Sequence, residues 1–253
     1  MKRACLILIG LATVWFTVLT VNDLARAVQR ESREEKEANL NQQAKGGLFH
    51  KWTFDQDPLD QRPAGFIGRA AGEGSEASWT VRKDETAPSR PHVVAARSQC
   101  VAGCYQMLMA EGLNYEYPDL SVRFRGVEGT AAVGGMVFGA KDAANFYAVQ
   151  VDMEKKTVQV VRVMEGQETL LARASVQFKP VDWHTLRVQR NTIISKDFIE
   201  TFVDGTLVLS VEDQSLGLGQ VGLLVHGDSS LLFDSFHAVP LFSHRPLSAP
   251  AAY

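Results

Sequence analysis

The sequence has little of what marks several common functional classes. Its formal net charge is −3, so it lacks the basic excess of a nucleic-acid-binding chain, and we expect no nucleic-acid partner. It contains only three cysteines, and no self-similarity at a period of roughly 20–50 residues is visible, which argues against a propeller. The six histidines show no i, i+2 or i, i+4 pairing, so a zinc site is not expected.

The first residues have the layout of an export signal. Lys2 and Arg3 precede the apolar run Ala4–Val21, and Ala25-Arg26-Ala27 fits a cleavage site between small residues. We therefore predict that residues 1–27 are a cleaved signal peptide and that the protein is exported, either periplasmic or secreted. The apolar run also reaches the length of a spanning helix, so an uncleaved N-terminal membrane anchor is the open alternative.

The rest of the chain is predicted to form one domain with flanking segments. Residues 28–47 are polar and predict a linker or a solvated helix. Residues 48–243 predict a single globular domain, and the proline-bearing residues 244–253 predict a loose tail.

Short runs of alternating apolar and polar residues dominate that domain. Leu120–Arg125 and Phe146–Asp152 are clear examples, and Asp204-Gly205 between two such runs is a strong hairpin signal. About 13 runs follow one another at intervals of roughly 8–15 residues, without a helical pattern between them. The pattern predicts an all-β fold, namely an antiparallel jelly-roll β-sandwich of two curved sheets, preceded by a short N-terminal helical leader.

Glycine and tryptophan positions refine this prediction. Gly134 and Gly135 lie inside a strand pattern and predict a bulge or a close backbone approach. The segment Pro58–Gly74 is predicted to be a long turn-rich region. The large aromatic residues predicted to lie in the core are Trp52, Trp79 and Trp183.

Four stretches carry a resemblance to a known superfamily. GGMVFGAKDAANFYAVQVD, DWHTLRV, FVDGTLV and GQVGLLVHGDSSLLFDSF follow one another in this order. Over roughly residues 48–240 the chain resembles the concanavalin A-like lectin/glucanase superfamily, in particular its bacterial exported laminin-G-like branch and the neighbouring 3-keto-disaccharide hydrolases. The resemblance implies a sandwich whose concave face meets glycans in many relatives.

The carboxylates bear on whether the chain is an enzyme. The resembling glucanases carry a Glu-x-Asp-x-Glu strand, and this sequence has no such triplet. Asp152 and Glu154 are two apart but run into Lys155-Lys156, which is typical of a solvated turn. No catalytic residue is therefore predicted, and we favour a non-catalytic module that binds carbohydrate or a cell-surface polymer. The alternative is a glycosidase-like enzyme acting on di- or oligosaccharides, because the 3-keto-disaccharide hydrolases lack the triplet too.

Sugar recognition needs a few placed polar groups beside aromatic surface. Asp142, Asn145 and Tyr147 match a D-x-x-N-[FY]-Y pattern of the resembling domains. Two arginines on an earlier strand and one late histidine complete the candidates, although the arginines also fit a solvated face and Asn145 a turn cap. The predicted ligand-binding residues are Arg123, Arg125, Asp142, Asn145, Tyr147 and His226.

Two further pairs are candidate structural sites. Asp55 and Asp234 lie on the first and last strands, and the resemblance implies a structural calcium ion near such acids, although hydrogen-bonded acids at strand ends are the alternative. Cys100 and Cys104 are predicted to form a disulfide, because export leads to an oxidising compartment. Reduced or metal-binding thiols are the alternative for that pair. No other cofactor is expected.

Overall fold

The computed structural model describes residues 49–72, 76–100, 103–179 and 182–241. The predicted signal peptide, polar linker and C-terminal tail lie outside these residues. Within them, no helix is long and apolar enough to cross a membrane.

Every regular element of the described residues is a β-strand. The strands in chain order are β1 (His50–Trp52), β2 (Phe66–Ala71), β3 (Ser78–Lys83), β4 (His92–Arg97), β5 (Tyr105–Tyr115), β6 (Pro118–Gly126), β7 (Val133–Asp142), β8 (Asn145–Asp152), β9 (Thr157–Met164), β10 (Gln167–Ser175), β11 (His184–Ile193), β12 (Lys196–Val203), β13 (Thr206–Glu212), β14 (Gly219–His226) and β15 (Ser230–Pro240).

The strands form two antiparallel sheets. Sheet A has the order β13-β12-β11-β6-β15-β4-β3, and β1 also pairs with β15. Sheet B has the order β10-β9-β8-β7-β14-β5-β2. Strands that are distant in the chain are neighbours in both sheets, and the inner faces of the two sheets enclose one apolar core. The predicted all-β jelly-roll sandwich is confirmed.

Strand β6 shows how the sequence sets the two faces. Leu120, Val122 and Phe124 are buried in the core, whereas Arg123 and Arg125 alternate with them and point away from sheet B. Because successive side chains of a strand point to opposite faces, this alternation fixes which residues can reach a ligand on the outer face of sheet A.

Sheet B differs because both of its faces are apolar. Its outer face, which points away from sheet A, carries a second buried cluster that we call the outer cluster. Strands buried on both faces read as nearly continuous apolar runs, as in the YQMLMA sequence of β5. The outer cluster contains Tyr105, Met107, Met109, Val137, Ala140, Phe146, Ala148, Val161, Val163 and Leu224.

The glycine prediction is confirmed by close backbone packing. A Cβ atom on Gly135 would lie 2.2 Å from the carbonyl oxygen of Val149, and one on Gly134 would lie 2.5 Å from that of Leu224. Real Cβ atoms do not approach so closely, so only glycine fits at these two positions of β7.

Two predictions are wrong. The turn-rich segment Pro58–Gly74 contains strand β2, which pairs with β5 at the end of sheet B. Trp183 is only half-buried and lies just before β11, outside the core, whereas Trp79 is 3% exposed and packs inside it, as predicted. Trp52 is partly buried and packs against the core.

Candidate functional site

A pocket lies on the outer face of sheet B, near the ends of β8, β9 and β14. We call it the outer pocket, and its volume is about 240 Å³. Gln150 alternates with Ala148 and Phe146 of the outer cluster, and His226 lies two residues after Leu224, so both point to this face. The pocket is lined by Val133, Gln150, Val151, Asp152, Lys155, Thr157, Gln159, Arg173 and His226.

Gln150 is the most deeply buried polar group of the outer pocket. It is 1% exposed, and its Nε2 donates a hydrogen bond of 3.4 Å to the Tyr105 hydroxyl. Its Oε1 has no hydrogen-bond partner among the described residues. A buried acceptor without a partner costs free energy, and a ligand hydroxyl in the pocket would remove that cost.

His226 provides a second buried polar atom of the outer pocket. Its ring lies 4.6 Å from the Tyr105 ring, and its Nε2 has no partner among the described residues. Burial lowers the pKa of His226, which keeps the imidazole neutral near pH 7. A neutral imidazole nitrogen can hydrogen-bond with a sugar hydroxyl in either tautomer.

The charged side chains of the pocket form hydrogen bonds and an ion pair with other lining residues. Lys155 Nζ lies 2.8 Å from Asp152 Oδ2, and Arg173 donates from Nε and Nη2 to Gln159 Oε1, at 3.1 and 2.8 Å. Asp152 is the one carboxylate in the described lining, and it already accepts hydrogen bonds from Lys155. Besides Asp152, the wall therefore offers two amides, a hydroxyl, an imidazole and two cations to a ligand.

Of the residues predicted to bind a ligand, only His226 lies in the outer pocket. Asp142 and Asn145 lie at the opposite end of β8, where Asn145 Nδ2 donates to Asp142 Oδ1 over 3.0 Å and its Oδ1 accepts from the backbone of Glu165. The Ala144 N–H and the Asn145 amide lower the pKa of Asp142. These contacts belong to a closed turn, which was the alternative role of Asn145.

Tyr147 points into the core between the two sheets. It is fully buried and stacks on Phe138, and its hydroxyl donates to Asp213 and accepts from the Leu216 N–H at 2.9 Å. Arg162 also pairs with Asp213, at 2.6 Å. The hydroxyl of Tyr147 thus fastens the loop after β13 to sheet B, away from the outer pocket.

The loop between β3 and β4 crosses the outer face of sheet A, and we call residues 84–91 the strap. Arg125 Nη2 pairs with Asp84 Oδ2 at 2.6 Å, and Nη1 donates to Thr86. The Arg125 guanidinium lies over the ring of Trp183, whose Nε1 donates to Thr86 Oγ1 at 3.2 Å. Arg125 therefore holds the strap, whereas Arg123 is exposed and forms no ion pair within the described ranges.

The strap also joins the two predicted metal ligands. Ser89 donates from its backbone nitrogen to Asp234 Oδ2 at 2.6 Å and from its hydroxyl to Asp55 Oδ2 at 2.7 Å. Asp55 Oδ1 accepts from the His92 N–H. Asp234 is 0% exposed, and burial together with repulsion from Asp55 raises its pKa. The two acids are thus joined through Ser89.

Cys100 and Cys104 are joined by a disulfide, with Cα atoms 6.3 Å apart. The Gly227 N–H donates to the carbonyl oxygen of Cys104 at 3.1 Å. Because Gly227 directly follows His226, this hydrogen bond links Cys104 to the end of the strand that carries the histidine of the outer pocket.

Sequence reasoning missed Gln150 as a site residue. Gln150 is the one polar residue in the run FYAVQV, on the face where Phe146 and Ala148 are buried. A polar residue at a buried position of an alternating strand was the available signal, but its partner Tyr105 comes from a strand that is distant in the sequence.

A scan against protein-family models and a search of curated proteins each find no match. Among solved structures, the carbohydrate-binding module CBM66 from Bacillus subtilis is similar at 17% identity and a TM-score of 0.54, over 68% of this chain and 93% of the module. The cellulose-induced protein Cip1 has 11% identity and a TM-score of 0.56, over 76% of this chain and 98% of Cip1.

A Bacillus subtilis protein of unknown function with a galectin-like fold has 10% identity and a TM-score of 0.52, over 76% of this chain and 96% of that protein. At such identities the likeness shows the fold alone. That fold is the sandwich expected from the concanavalin A-like resemblance.

Proposed function

We propose that this protein is an exported carbohydrate-binding module whose ligand site is the outer pocket. The observation that carries the proposal is that two residues lining the pocket, Gln150 and His226, each have a buried polar atom, Oε1 and Nε2, without a partner among the described residues. Sugar hydroxyls both donate and accept hydrogen bonds, so they can pair with atoms of either kind. The fold shared with a structure described as a carbohydrate-binding module supports this choice.

Binding is favoured over hydrolysis by the acids of the pocket. The two-carboxylate mechanisms need acids about 5–10 Å apart on either side of the glycosidic bond. Asp152 is the one carboxylate in the described lining, and Lys155 is paired with it. A glycan or cell-envelope polymer is therefore the proposed partner, bound without turnover.

Export is supported by two independent features. Lys2, Arg3 and the apolar run after them have the layout of a signal sequence. The Cys100–Cys104 disulfide is typical of a protein in an oxidising compartment.

The proposal is tested by calorimetric titration of the full chain with cellotetraose, xylotetraose and inulotetraose. We expect at least one of these tetrasaccharides to bind, without release of shorter sugars. Gln150→Leu and His226→Ala should each weaken that binding about tenfold, because each removes one hydrogen-bonding partner.

Arg123→Ala is the matched control, because Arg123 is an exposed polar residue on the other sheet. It also tests the sequence-based expectation that Arg123 contacts the ligand. Binding that is unchanged in Gln150→Leu and His226→Ala, or lost in Arg123→Ala, would place the ligand elsewhere. Hydrolysis of a panel member would support the enzyme alternative instead.

A structural calcium ion at Asp55 and Asp234 is a second proposal. It is supported by the burial of Asp234 next to another acid, since neither carboxylate forms an ion pair with a lysine or arginine of the described ranges. The described residues contain no group of three or more His, Cys, Asp or Glu side chains that could hold a metal. Further ligands would therefore have to be carbonyl oxygens, hydroxyls or water, which calcium accepts.

Thermal unfolding with calcium and with a chelator tests this second proposal. We expect a higher midpoint in calcium for the wild type. The increase should vanish in Asp234→Asn, whose side-chain oxygen can still accept the Ser89 N–H. A wild-type midpoint that is equal in both solutions would rule out the calcium ion and leave a hydrogen-bonded acid pair.

A further inference from the structure

A row of hydrogen-bonded side chains leads from outside the outer pocket to Gln150 in its lining. Tyr105 donates its hydroxyl proton to Glu168, and its oxygen accepts from Gln150 Nε2 at 3.4 Å. Glu168 lies on β10 and is not among the residues that line the pocket. The three residues come from β10, β5 and β8, so the chain spans most of the width of sheet B.

The direction of this chain follows from donor and acceptor chemistry. A carboxylate accepts hydrogen bonds, and a phenol has a single proton to give. Because the Tyr105 proton is directed to Glu168, the only role left to the Tyr105 oxygen is that of an acceptor. The side of the Gln150 amide that faces Tyr105 must therefore be its NH₂ group, and its Oε1 points away from Tyr105.

The orientation of the Gln150 amide affects ligand binding because the side chain is buried. Gln150 is 1% exposed, and its Oε1 has no partner among the described residues. An oxygen of this kind accepts a hydrogen bond from a ligand donor, and it repels a ligand group that has only lone pairs.

We propose that the Glu168–Tyr105–Gln150 chain selects ligands that present a free hydroxyl donor to Gln150 Oε1. Ethers, O-alkylated sugars and anionic groups such as sulfate or carboxylate are disfavoured at this point of the pocket. Glu168 and Tyr105 act as positioning residues, since they set the amide orientation without lining the site. This inference rests on the proposed function, because it specifies the chemistry of the ligand bound there.

The Glu168–Tyr105–Gln150 chain also predicts the effect of removing the Glu168 carboxylate. In Glu168→Ala, Tyr105 has lost its acceptor and can donate to Gln150 Oε1 instead. The amide then rotates, its NH₂ group faces the pocket, and an ether oxygen becomes an acceptable partner. Tyr105→Phe removes the constraint altogether, so that either amide orientation is available.

The test measures two affinities for each variant by titration of the full chain. The probes are the tetrasaccharide that binds most tightly among cellotetraose, xylotetraose and inulotetraose, and its per-O-methylated form, which has no hydroxyl donor. For the wild type we expect the methylated probe to bind at least about tenfold more weakly. In Glu168→Ala and Tyr105→Phe this ratio should fall several-fold.

Glu154→Ala is the matched control, because it removes an exposed carboxylate from the turn between β8 and β9 without touching Tyr105. Its ratio should equal that of the wild type. A general loss of structure would weaken both probes together, so the ratio separates positioning from folding.

The outcomes distinguish the two proposals. If the tetrasaccharide binds to the wild type and the ratio is the same in Glu168→Ala, the positioning chain is overturned and the proposed function stands. If none of the tetrasaccharides binds to the wild type, the proposed function and this inference both fail.

Discussion

The guanidinium carbon of Arg125 lies 5.2 Å from the centroid of the Trp183 ring, on the outer face of sheet A. The same guanidinium pairs with Asp84 at 2.6 Å. Arg125 is thus enclosed between an aromatic ring and a carboxylate, and its polar edge is used to hold the strap. This relationship explains why a residue that alternation places on a solvent-facing side is only partly exposed.

Trp183→Ala should cost about 1–2.5 kcal/mol of unfolding free energy. The change removes a cation–π contact of about 0.5–1 kcal/mol and a hydrogen bond to Thr86 of about 0.5–1.5 kcal/mol, but little core volume. Urea denaturation measures the loss. Trp79→Ala is the control and should cost about 3–5 kcal/mol, because Trp79 is packed in the core. Equal losses for the two variants would show that Trp183 is a core residue after all.

The hairpin between β11 and β12 should be stabilised by a simple exchange of residues. Ile194 and Ser195 form its two-residue loop with φ values of 47° and 67°, and Ile194 is 92% exposed. A β-branched residue is strained in this region, by about 1–3 kcal/mol, whereas Asn-Gly adopts it readily. The double change Ile194→Asn, Ser195→Gly should therefore raise the unfolding midpoint.

The loop Asp204-Gly205 provides the reciprocal control for that change. Its φ values are 48° and 80°, and its sequence already suits the turn. Gly205→Ser should lower stability by about 1 kcal/mol. A lower midpoint for the Asn-Gly variant would mean that Ile194 makes a stabilising contact.

Unfolding free energy should decrease as the pH falls from 7.5 to 5.5. Burial lowers the pKa values of His226 and His237 in the folded protein. The unfolded chain takes up protons at these histidines near pH 6.5, before the folded protein does, so acid favours unfolding across this window. Urea denaturation at several pH values measures the slope, which should be shallower in His226→Gln and in His237→Gln. An unchanged slope in both variants would assign the pH dependence to other groups.

Replacing both disulfide cysteines by serine should cost no more than about 2 kcal/mol. Cys100 and Cys104 are four residues apart, and a disulfide that closes so short a loop removes little entropy from the unfolded chain. The measurement is the thermal midpoint of the double variant against the wild type under non-reducing conditions. Unfolding of the double variant at room temperature would instead make the disulfide essential for the fold.

The strands with regular alternation were predictable, because burial of one face imposes a period of two on the sequence. In β6, Leu120, Val122 and Phe124 identified the inner face correctly. Strand β2 was missed since glycines and prolines surround it, and its sequence FIGRAA has little alternation. Strand β2 is an edge strand that pairs only with β5, and an edge strand can form from a sequence with so weak a strand pattern.

The outer pocket could not be predicted because its parts come together only through the strand order. His226 was a candidate from its position in a late strand, but Gln150 and Tyr105 were not. Hydrogen-bond partners across sheet B follow from an order in which β14 separates β5 from β7, and no local pattern encodes that order. For Arg125, alternation correctly predicted the outer face of sheet A. It could not predict that the strap, which is distant in the sequence, covers Arg125 on that face.

The strand order also determines when the two sheets can form during synthesis. Strand β14 lies between β7 and β5 in sheet B, and β15 lies between β6 and β4 in sheet A. These are the last two strands that the structure describes, so each sheet is divided in its middle until residues 219–240 have left the ribosome. A nascent chain that lacks them exposes four unpaired strand edges, which are templates for aggregation. Each of these two strands therefore joins the halves of one sheet, and a product that ends before residue 219 would leave both sheets divided.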